Sequence, residues 1–181
     1  MPNRFLILFA ALALAQEPAI LRPANQTVLR PGPLTVVARG PTSARLVLDG
    51  KVVESVQPAP GVHTAMLNPL PGVHELTLGS AKVQFAIGLA QGTEGWKPFR
   101  AHPPMAQCTA CHAVKDGVWT WKSERLVESC AACHDLKGFP KLHMHNTEVL
   151  AECQLCHQPH GSAEKSHLKM NKETACKICH G

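Results

Sequence analysis

Cysteine and histidine recur in one fixed pattern through the C-terminal half of this chain. Eight cysteines form four CxxC pairs, and a histidine directly follows each pair. Within one helical turn such residues share a face, so that two thiols and one imidazole reach the same porphyrin. The pattern is the attachment signature of c-type haem, and it predicts four covalently attached haem c groups with four proximal iron ligands. The predicted attachment residues are Cys108, Cys111, Cys130, Cys133, Cys153, Cys156, Cys176 and Cys179, and the proximal ligands are His112, His134, His157 and His180.

Five further histidines lie in the same region outside these motifs. They are numerous enough to give every iron a second histidine, whereas a methionine ligand would raise the potential of its haem. We therefore expect mostly bis-histidine ligation, with His143 as the substitute for His145. The expected distal ligands are His102, His145, His160 and His167.

Zinc and disulfide bonds are the rival uses of paired cysteines. CxxC pairs also build zinc ribbons, and an even number of cysteines in an exported chain favours disulfides. Neither use requires a histidine after every pair. The sequence therefore favours haem attachment.

The four motifs recur at a nearly constant spacing, with their first cysteines at 108, 130, 153 and 176. Such recurrence indicates a repeat architecture. Because the segment has few large apolar side chains, we expect the haems to form most of its core and to lie close enough to exchange electrons. Trp119 and Trp121 are expected to pack against porphyrin edges. Helix N-caps are predicted before three motifs, at Ser123, Asn146 and Asn171.

Two stretches of this region resemble the doubled-CxxCH multihaem cytochromes, and the region is also similar in outline to the small tetrahaem class III cytochromes. The stretches are HPPMAQCTACH at 102–112 and HNTEVLAECQLCHQPHGS at 145–162. The resemblance implies that His157 is a proximal ligand and that His160 ligates a neighbouring haem. It also implies distal roles for His102 and His145, and low-potential electron carriage. The first motif departs from the pattern, because CHAVKD lacks the PH pair.

The preceding half of the chain, 18–88, has no cysteine and many short runs rich in Val, Leu and Thr. Pro-Gly turns and an Asp49-Gly50 hairpin signal separate these runs, which predicts a small immunoglobulin-like β-sandwich of about seven strands. The stretch LNPLPGVHELTLG resembles the late strands of bacterial immunoglobulin-like domains, which implies an adhesion or docking module without catalysis. His63 and His74 alternate with strand neighbours and are expected to face solvent.

The first residues are typical of an export signal. A short basic start precedes the apolar run FLILFAALALA and the small residues at 13–15, and this run is too short to span a bilayer. We expect a signal peptide over 1–15, no transmembrane segment after its cleavage, and a periplasmic, extracellular or cell-surface location. The formal net charge is +5, but each haem adds two propionates, so the charge does not indicate a nucleic-acid partner.

The sequence therefore predicts an exported, two-domain tetrahaem c-type cytochrome. An all-β immunoglobulin-like sandwich over 18–88 is followed by a Gly- and Pro-rich linker over 89–100 and a small, loop-rich, partly α-helical multihaem domain over 101–181. We expect an electron carrier rather than an enzyme, with redox proteins as partners. The alternatives are a multihaem reductase with one open haem site, and a homo-oligomeric subunit of a conductive filament or surface complex assembled through the sandwich.

Overall fold

The computed structural model describes residues 17–102, 108–138 and 145–181. The predicted signal peptide at 1–15 and the predicted substitute ligand His143 lie outside the described residues. Within the described ranges, no helix is long and apolar enough to cross a membrane.

Two facing β-sheets make up most of the described chain before residue 100. Their strands are β1 (Ala19–Arg22), β2 (Thr27–Leu29), β3 (Leu34–Arg39), β4 (Leu46–Leu48), β5 (Lys51–Val52), β6 (Val56–Ala59), β7 (Val62–Leu67), β8 (Gly72–Leu78), β9 (Ala81–Ile87) and β10 (Lys97–Pro98). The four-stranded sheet has the order β1-β3-β7-β6, and the six-stranded sheet has the order β10-β2-β9-β8-β4-β5. Most neighbours are antiparallel, but β2 runs parallel to both β9 and β10.

The hydrophobic core lies between the two sheets. Alternate side chains along each strand point inward, as the two-residue period of a strand requires. The buried cluster contains residues from β3, β4, β7, β8 and β9, and it comprises Leu34, Val36, Ala38, Leu46, Ala65, Leu76, Leu78, Val83, Phe85 and Ile87. The predicted turn between β4 and β5 is confirmed, because Asp49 and Gly50 both have positive φ, 50° and 77°. The predicted β-sandwich is confirmed in outline.

The prediction that both sandwich histidines face solvent is wrong. His63 is fully buried and its Nε2 lies 3.0 Å from the Pro41 carbonyl oxygen. It shares the inward face of β7 with Ala65, because residues two apart in a strand lie on the same side. The side chain of His74 is only 11% exposed, and its two ring nitrogens lie 2.7 Å from Asp49 Oδ2 and from the Leu70 carbonyl oxygen.

The region after residue 101 is built from short elements. The hairpin of β11 (His112–Lys115) and β12 (Val118–Trp121) is followed by helices α1 (Leu126–Ala131), α2 (Thr147–Ala151) and α3 (Lys172–His180). Short 3-10 turns lie at Cys108–Ala110, Leu136–Gly138, Cys153–Leu155 and Lys165–His167.

Two of the three predicted N-caps are confirmed. The side chains of Asn146 and Asn171 accept hydrogen bonds, both 2.9 Å long, from the backbone N–H groups of the residues three positions on. The prediction for Ser123 is wrong, because the N-cap position of α1 is the extended residue Arg125, and no side chain caps that helix.

The segment predicted as a linker, 89–100, ends in a strand. Lys97 and Pro98 form β10, which pairs in parallel with Thr27 and Val28 at the edge of the six-stranded sheet. The Phe99 N–H then donates to the Val28 carbonyl oxygen over 2.8 Å. The next residue, Arg100, already forms a β-bridge with Ser162. Backbone hydrogen bonds at consecutive residues therefore hold the chain where it leaves the sandwich and enters the C-terminal region.

Candidate haem-attachment region

The C-terminal region lacks an apolar core of its own in the part that the structure describes. Among the described residues, the buried apolar side chains lie between residues 23 and 87. Beyond residue 101, the buried residues among those described are Ser129, Gly161 and Ser162, while Leu155 and Ile178 are more than half exposed. A segment of this composition needs a large apolar group to pack against, and a porphyrin has that character.

His112 and His160 face each other across a gap. Their ring centroids are 6.2 Å apart and their planes are 9° from parallel. Two imidazole nitrogens that each lie about 2 Å from one metal ion place the ring centroids about 6 Å apart. The pair thus has the spacing that two imidazole ligands of one iron would have.

Two more motif histidines face a histidine from outside the motifs at the same spacing. The ring centroids of His145 and His180 are 5.9 Å apart with an interplanar angle of 28°. Those of His102 and His134 are also 5.9 Å apart, at 47°. Each pair therefore joins a predicted proximal ligand to a predicted distal ligand.

His167 lies beside the third of these pairs. Its ring centroid is 5.5 Å from that of His102, at an angle of 61°, and its Nδ1 atom is buried without a hydrogen-bond partner. Burial is the largest cause that lowers the pKa of His167, followed by the charge of His157. His167 is therefore close to two motif histidines, His134 and His157.

Backbone carbonyl groups orient two of the motif histidines. His157 Nδ1 lies 2.8 Å from the Ser166 carbonyl oxygen, and His112 Nδ1 lies 3.3 Å from that of Thr120. Metal-ligating histidines commonly have a carbonyl partner on the ring nitrogen that does not bind the metal, which fixes the orientation of the ring. Two of the motif histidines have such a carbonyl partner at Nδ1.

The β11–β12 hairpin encloses the ring of His112. Its centroid is 4.9 Å from that of Trp119 and 4.8 Å from that of Trp121. Burial lowers the pKa of His112. Burial also lowers the pKa of His160 to about 4, with the charges of His112 and Arg22 as the next causes. Both imidazoles are therefore held in the neutral form, which is the form that binds metals.

Cysteines of three attachment motifs lie near one another. All eight cysteines are free thiols. The pKa of the Cys130 thiol is raised to about 12, with burial as the largest cause, followed by the charge of Cys153, a hydrogen bond with the Cys153 side chain and the charge of Cys111. The first, second and third motifs thus each bring a sulfur atom to this part of the region.

No cluster of three or more His, Cys, Asp or Glu side chains in the described ranges is arranged to hold a metal ion. A haem site does not need one, since the porphyrin supplies the equatorial ligands and the protein only the axial pair. The histidine pairs, the unpartnered buried Nδ1 atoms of His160 and His167 and the missing apolar core all fit haem.

The segment that follows the third motif is held against the sandwich. Gly161 has a φ of +113°, and a Cβ atom at this position would lie 2.6 Å from Phe99 Cζ and 2.7 Å from the Arg100 carbonyl oxygen. Arg100 Nη1 donates to the Ala163 carbonyl oxygen over 2.8 Å, and Lys97 Nζ lies 2.5 Å from Glu164 Oε1. Only glycine allows this close approach.

Sequence reasoning missed several residues of this site. The carbonyl groups of Thr120 and Ser166 carry no motif, and they reach the histidines only after folding. The side chain of Arg22 was not predicted to lie here either. Phe99 lies in the segment predicted as a linker, where the sequence allows it to pack between the two halves of the chain, and it contacts both Arg22 and Gly161.

Residues 143–181, which hold the third and fourth attachment motifs, match the protein family described as Doubled CXXCH motif. This match supports a multihaem c-type cytochrome. The covalently bound cofactor that the motif indicates is c-type haem, and electron transfer is the activity that such haems serve.

Comparisons with curated proteins and with solved structures do not identify the fold or the function further. No match was found among curated proteins. One solved structure, of Clostridium thermocellum CbhA fibronectin(III)-like modules, is similar over 41% of this chain and 99% of its own, with 17% sequence identity and a TM-score of 0.33. A likeness at this TM-score is too weak to support a conclusion about fold or function.

Proposed function

We propose that this protein is an exported tetrahaem c-type cytochrome that transfers single electrons through closely packed, mostly bis-histidine haems. The observation that carries the proposal is the set of three histidine pairs, His112 with His160, His145 with His180, and His102 with His134, at centroid distances of 5.9–6.2 Å. Each pair supplies both axial ligands to one iron.

Haem supplies the reversible one-electron chemistry of iron, at a potential that the axial ligands, hydrogen bonds and burial adjust. The cysteines of each motif attach the porphyrin covalently. The Thr120 and Ser166 carbonyl groups accept hydrogen bonds from the motif histidines, which makes these imidazoles stronger donors to iron and keeps the potential low.

The fourth iron, at His157, has two candidate distal ligands. His167 is close enough for the charge of His157 to affect its pKa, and its Nδ1 has no hydrogen-bond partner. His143 is the other candidate and lies outside the described residues. Either one completes four closed irons.

An iron with two protein ligands has no open position for a substrate, so we propose a carrier rather than an enzyme. Its partners are then other redox proteins, met in the periplasm or at the cell surface, because the first 15 residues are typical of an export signal. The sandwich serves as the surface through which the protein docks or assembles with further copies.

The experiment that tests this function is the mass of the purified protein combined with low-temperature electron paramagnetic resonance (EPR) of its oxidised form. The expected result is a mass increase of four covalent haems with low-spin ferric signals alone. A high-spin ferric signal that shifts when a small ligand is added would show an open iron and favour a reductase. A mass without covalent haem would overturn the proposal.

A further inference from the structure

Arg22 is a buried cation whose guanidinium is only partly hydrogen-bonded. It is the last residue of β1 and is only 9% exposed, and its Nε and Nη1 atoms are buried with no hydrogen-bond partner. No acidic side chain in the described part of the chain forms an ion pair with it. Leaving a charged group buried and unpaired is strongly destabilising. An anion bound at this site would remove that penalty.

The position of Arg22 indicates which anion this is. Its Cζ atom lies 5.7 Å from the centroid of the Phe99 ring, and Phe99 in turn contacts Gly161, the residue after His160. Phe99 thus connects Arg22 to the segment that carries His160, at the place where the sandwich meets the C-terminal region.

We propose that the Arg22 guanidinium binds a propionate carboxylate of the haem held by Cys108, Cys111, His112 and His160, an inference that rests on the proposed function. Each haem brings two carboxylates with it. A guanidinium is the side chain best suited to a carboxylate in a partly dry site, because it stays charged and presents several N–H donors in one plane. The carboxylate then accepts from one of the unpartnered nitrogen atoms of Arg22, and the buried charge is neutralised.

This assignment makes the sandwich part of the haem site. The region after residue 101 supplies the thiols and the imidazoles, and β1 of the sandwich supplies the counter-charge. A cation close to a haem favours the reduced state, which carries one positive charge fewer, and so raises the potential of that haem. The sandwich therefore adjusts the potential of one haem and leaves the more distant haems nearly unchanged.

The first test is a spectroelectrochemical titration of the holoprotein and three variants. Arg22→Gln removes the charge, Arg22→Lys keeps the charge but not the guanidinium, and Arg39→Gln is the matched control, since Arg39 is an exposed arginine on the neighbouring strand β3. We expect one component of the titration to shift to lower potential in Arg22→Gln, to shift less in Arg22→Lys, and to stay unchanged in Arg39→Gln.

Haem content measured on the same samples separates the two proposals. If the wild type lacks four covalent low-spin haems, the proposed function fails. If the wild type has them and Arg22→Gln, with full haem content, titrates like the wild type, the assignment of Arg22 alone is overturned.

Thermal unfolding tests the proposal even if the Arg22→Gln variant does not take up its haems. The effect of one substitution is compared in two backgrounds. Arg22→Met is introduced into the full protein and into a Cys108→Ala/Cys111→Ala chain, which cannot attach the first haem. An unpaired buried cation destabilises, whereas a paired one stabilises relative to its removal. We expect Arg22→Met to lower the melting temperature of the sandwich when the first haem is attached and to raise it when that haem is absent. An equal effect in both backgrounds would overturn the proposal.

Discussion

The imidazole rings of His112 and His160 lie almost parallel, with 6.2 Å between their centroids. One belongs to the first attachment motif, and the other follows the third. This is the spacing that two imidazoles on either side of one metal ion have. In the proposed function, the segment after the third motif would therefore complete the haem site that the first motif begins.

Replacing His160 should open the iron of the first haem. In His160→Ala we expect one haem to become high-spin in the oxidised protein while the others stay low-spin, as measured by low-temperature EPR. Added imidazole should restore the low-spin signal. His74→Gln is the control, because His74 is bound to Asp49 within the sandwich. An unchanged spectrum of His160→Ala would show that His160 is not an axial ligand.

The ligand of the fourth iron can be identified with the same method. His143→Ala and His167→Ala are compared with the wild type and with each other. We expect one of the two to produce a high-spin haem and the other to keep all haems low-spin. If both spectra remain low-spin, the iron at His157 is closed by a residue other than these two histidines.

Gly161→Ala should loosen the contact between the third motif and the sandwich. A positive φ at a residue other than glycine costs about 1–3 kcal/mol, and the new Cβ would also meet Phe99 and the Arg100 carbonyl oxygen. We expect a loss of about 2 kcal/mol or more in the free energy of unfolding, measured by denaturant titration. Gly138→Ala is the matched control, because a Cβ at Gly138 meets no atom within 4 Å. Equal stability of the two variants would contradict the contact.

The hydrogen bonds at the Asp49 carboxylate should make the sandwich sensitive to acid. Burial raises the pKa of Asp49, but the hydrogen bond from the Glu75 N–H and the interactions with His74 outweigh this and lower it. A lowered folded-state pKa stabilises the protein above the ordinary value of about 3.9, and this contribution is lost as the pH falls through the lower folded value. Because the Asp49 side chain is 46% exposed, we expect an effect below about 1 kcal/mol.

Asp49→Asn isolates this charge, since asparagine tolerates the positive φ and still accepts from the Glu75 N–H. We expect the variant to be less stable than the wild type at pH 6 and equally stable near pH 2, as measured by denaturant titration at each pH. Asp116→Asn is the control, because Asp116 also precedes a glycine in a hairpin turn with positive φ. A difference for Asp49→Asn that persists near pH 2 would rule out the charge as its cause.

Removing haem should unfold the C-terminal region and leave the sandwich folded. Protein produced without haem attachment keeps the core between the sheets, where all buried hydrophobic side chains of the described residues lie. We expect proteolysis to digest 101–181 rapidly and to leave 18–88 intact, and β-type circular dichroism to persist. A C-terminal region that resists proteolysis without haem would mean that the polypeptide has a core of its own.

Local sequence patterns predicted the strands, turns and helix starts that depend only on neighbouring residues. The alternation of apolar residues indicated the strands, the Asp49-Gly50 pair indicated a hairpin, and Asn146 and Asn171 indicated two helix starts. Each depends on residues within a few positions of one another. The attachment motifs could be recognised for the same reason.

Other features depend on contacts that no local pattern encodes. His63 is inward-facing because of the register of β7, which pairs with both β3 and β6. Lys97 and Pro98, near the end of the predicted linker, form a strand because they pair with distant β2, and Phe99 and Arg100 then find backbone partners in distant segments. The sequence around Arg22 indicates only a strand residue, and its contact with Phe99 forms only in the folded chain.

The connection at Arg100 bears on the rate of electron transfer. β10 ends at Pro98, and Arg100 exchanges two backbone hydrogen bonds with Ser162, 2.8 and 3.0 Å long. These bonds join the edge of the sheet directly to the segment that carries His157 and His160. If the sandwich docks to a redox partner, as proposed, this connection would hold the nearest haem at a fixed distance from the docked surface. Because electron tunnelling slows steeply with distance, the fold itself would then set the transfer rate.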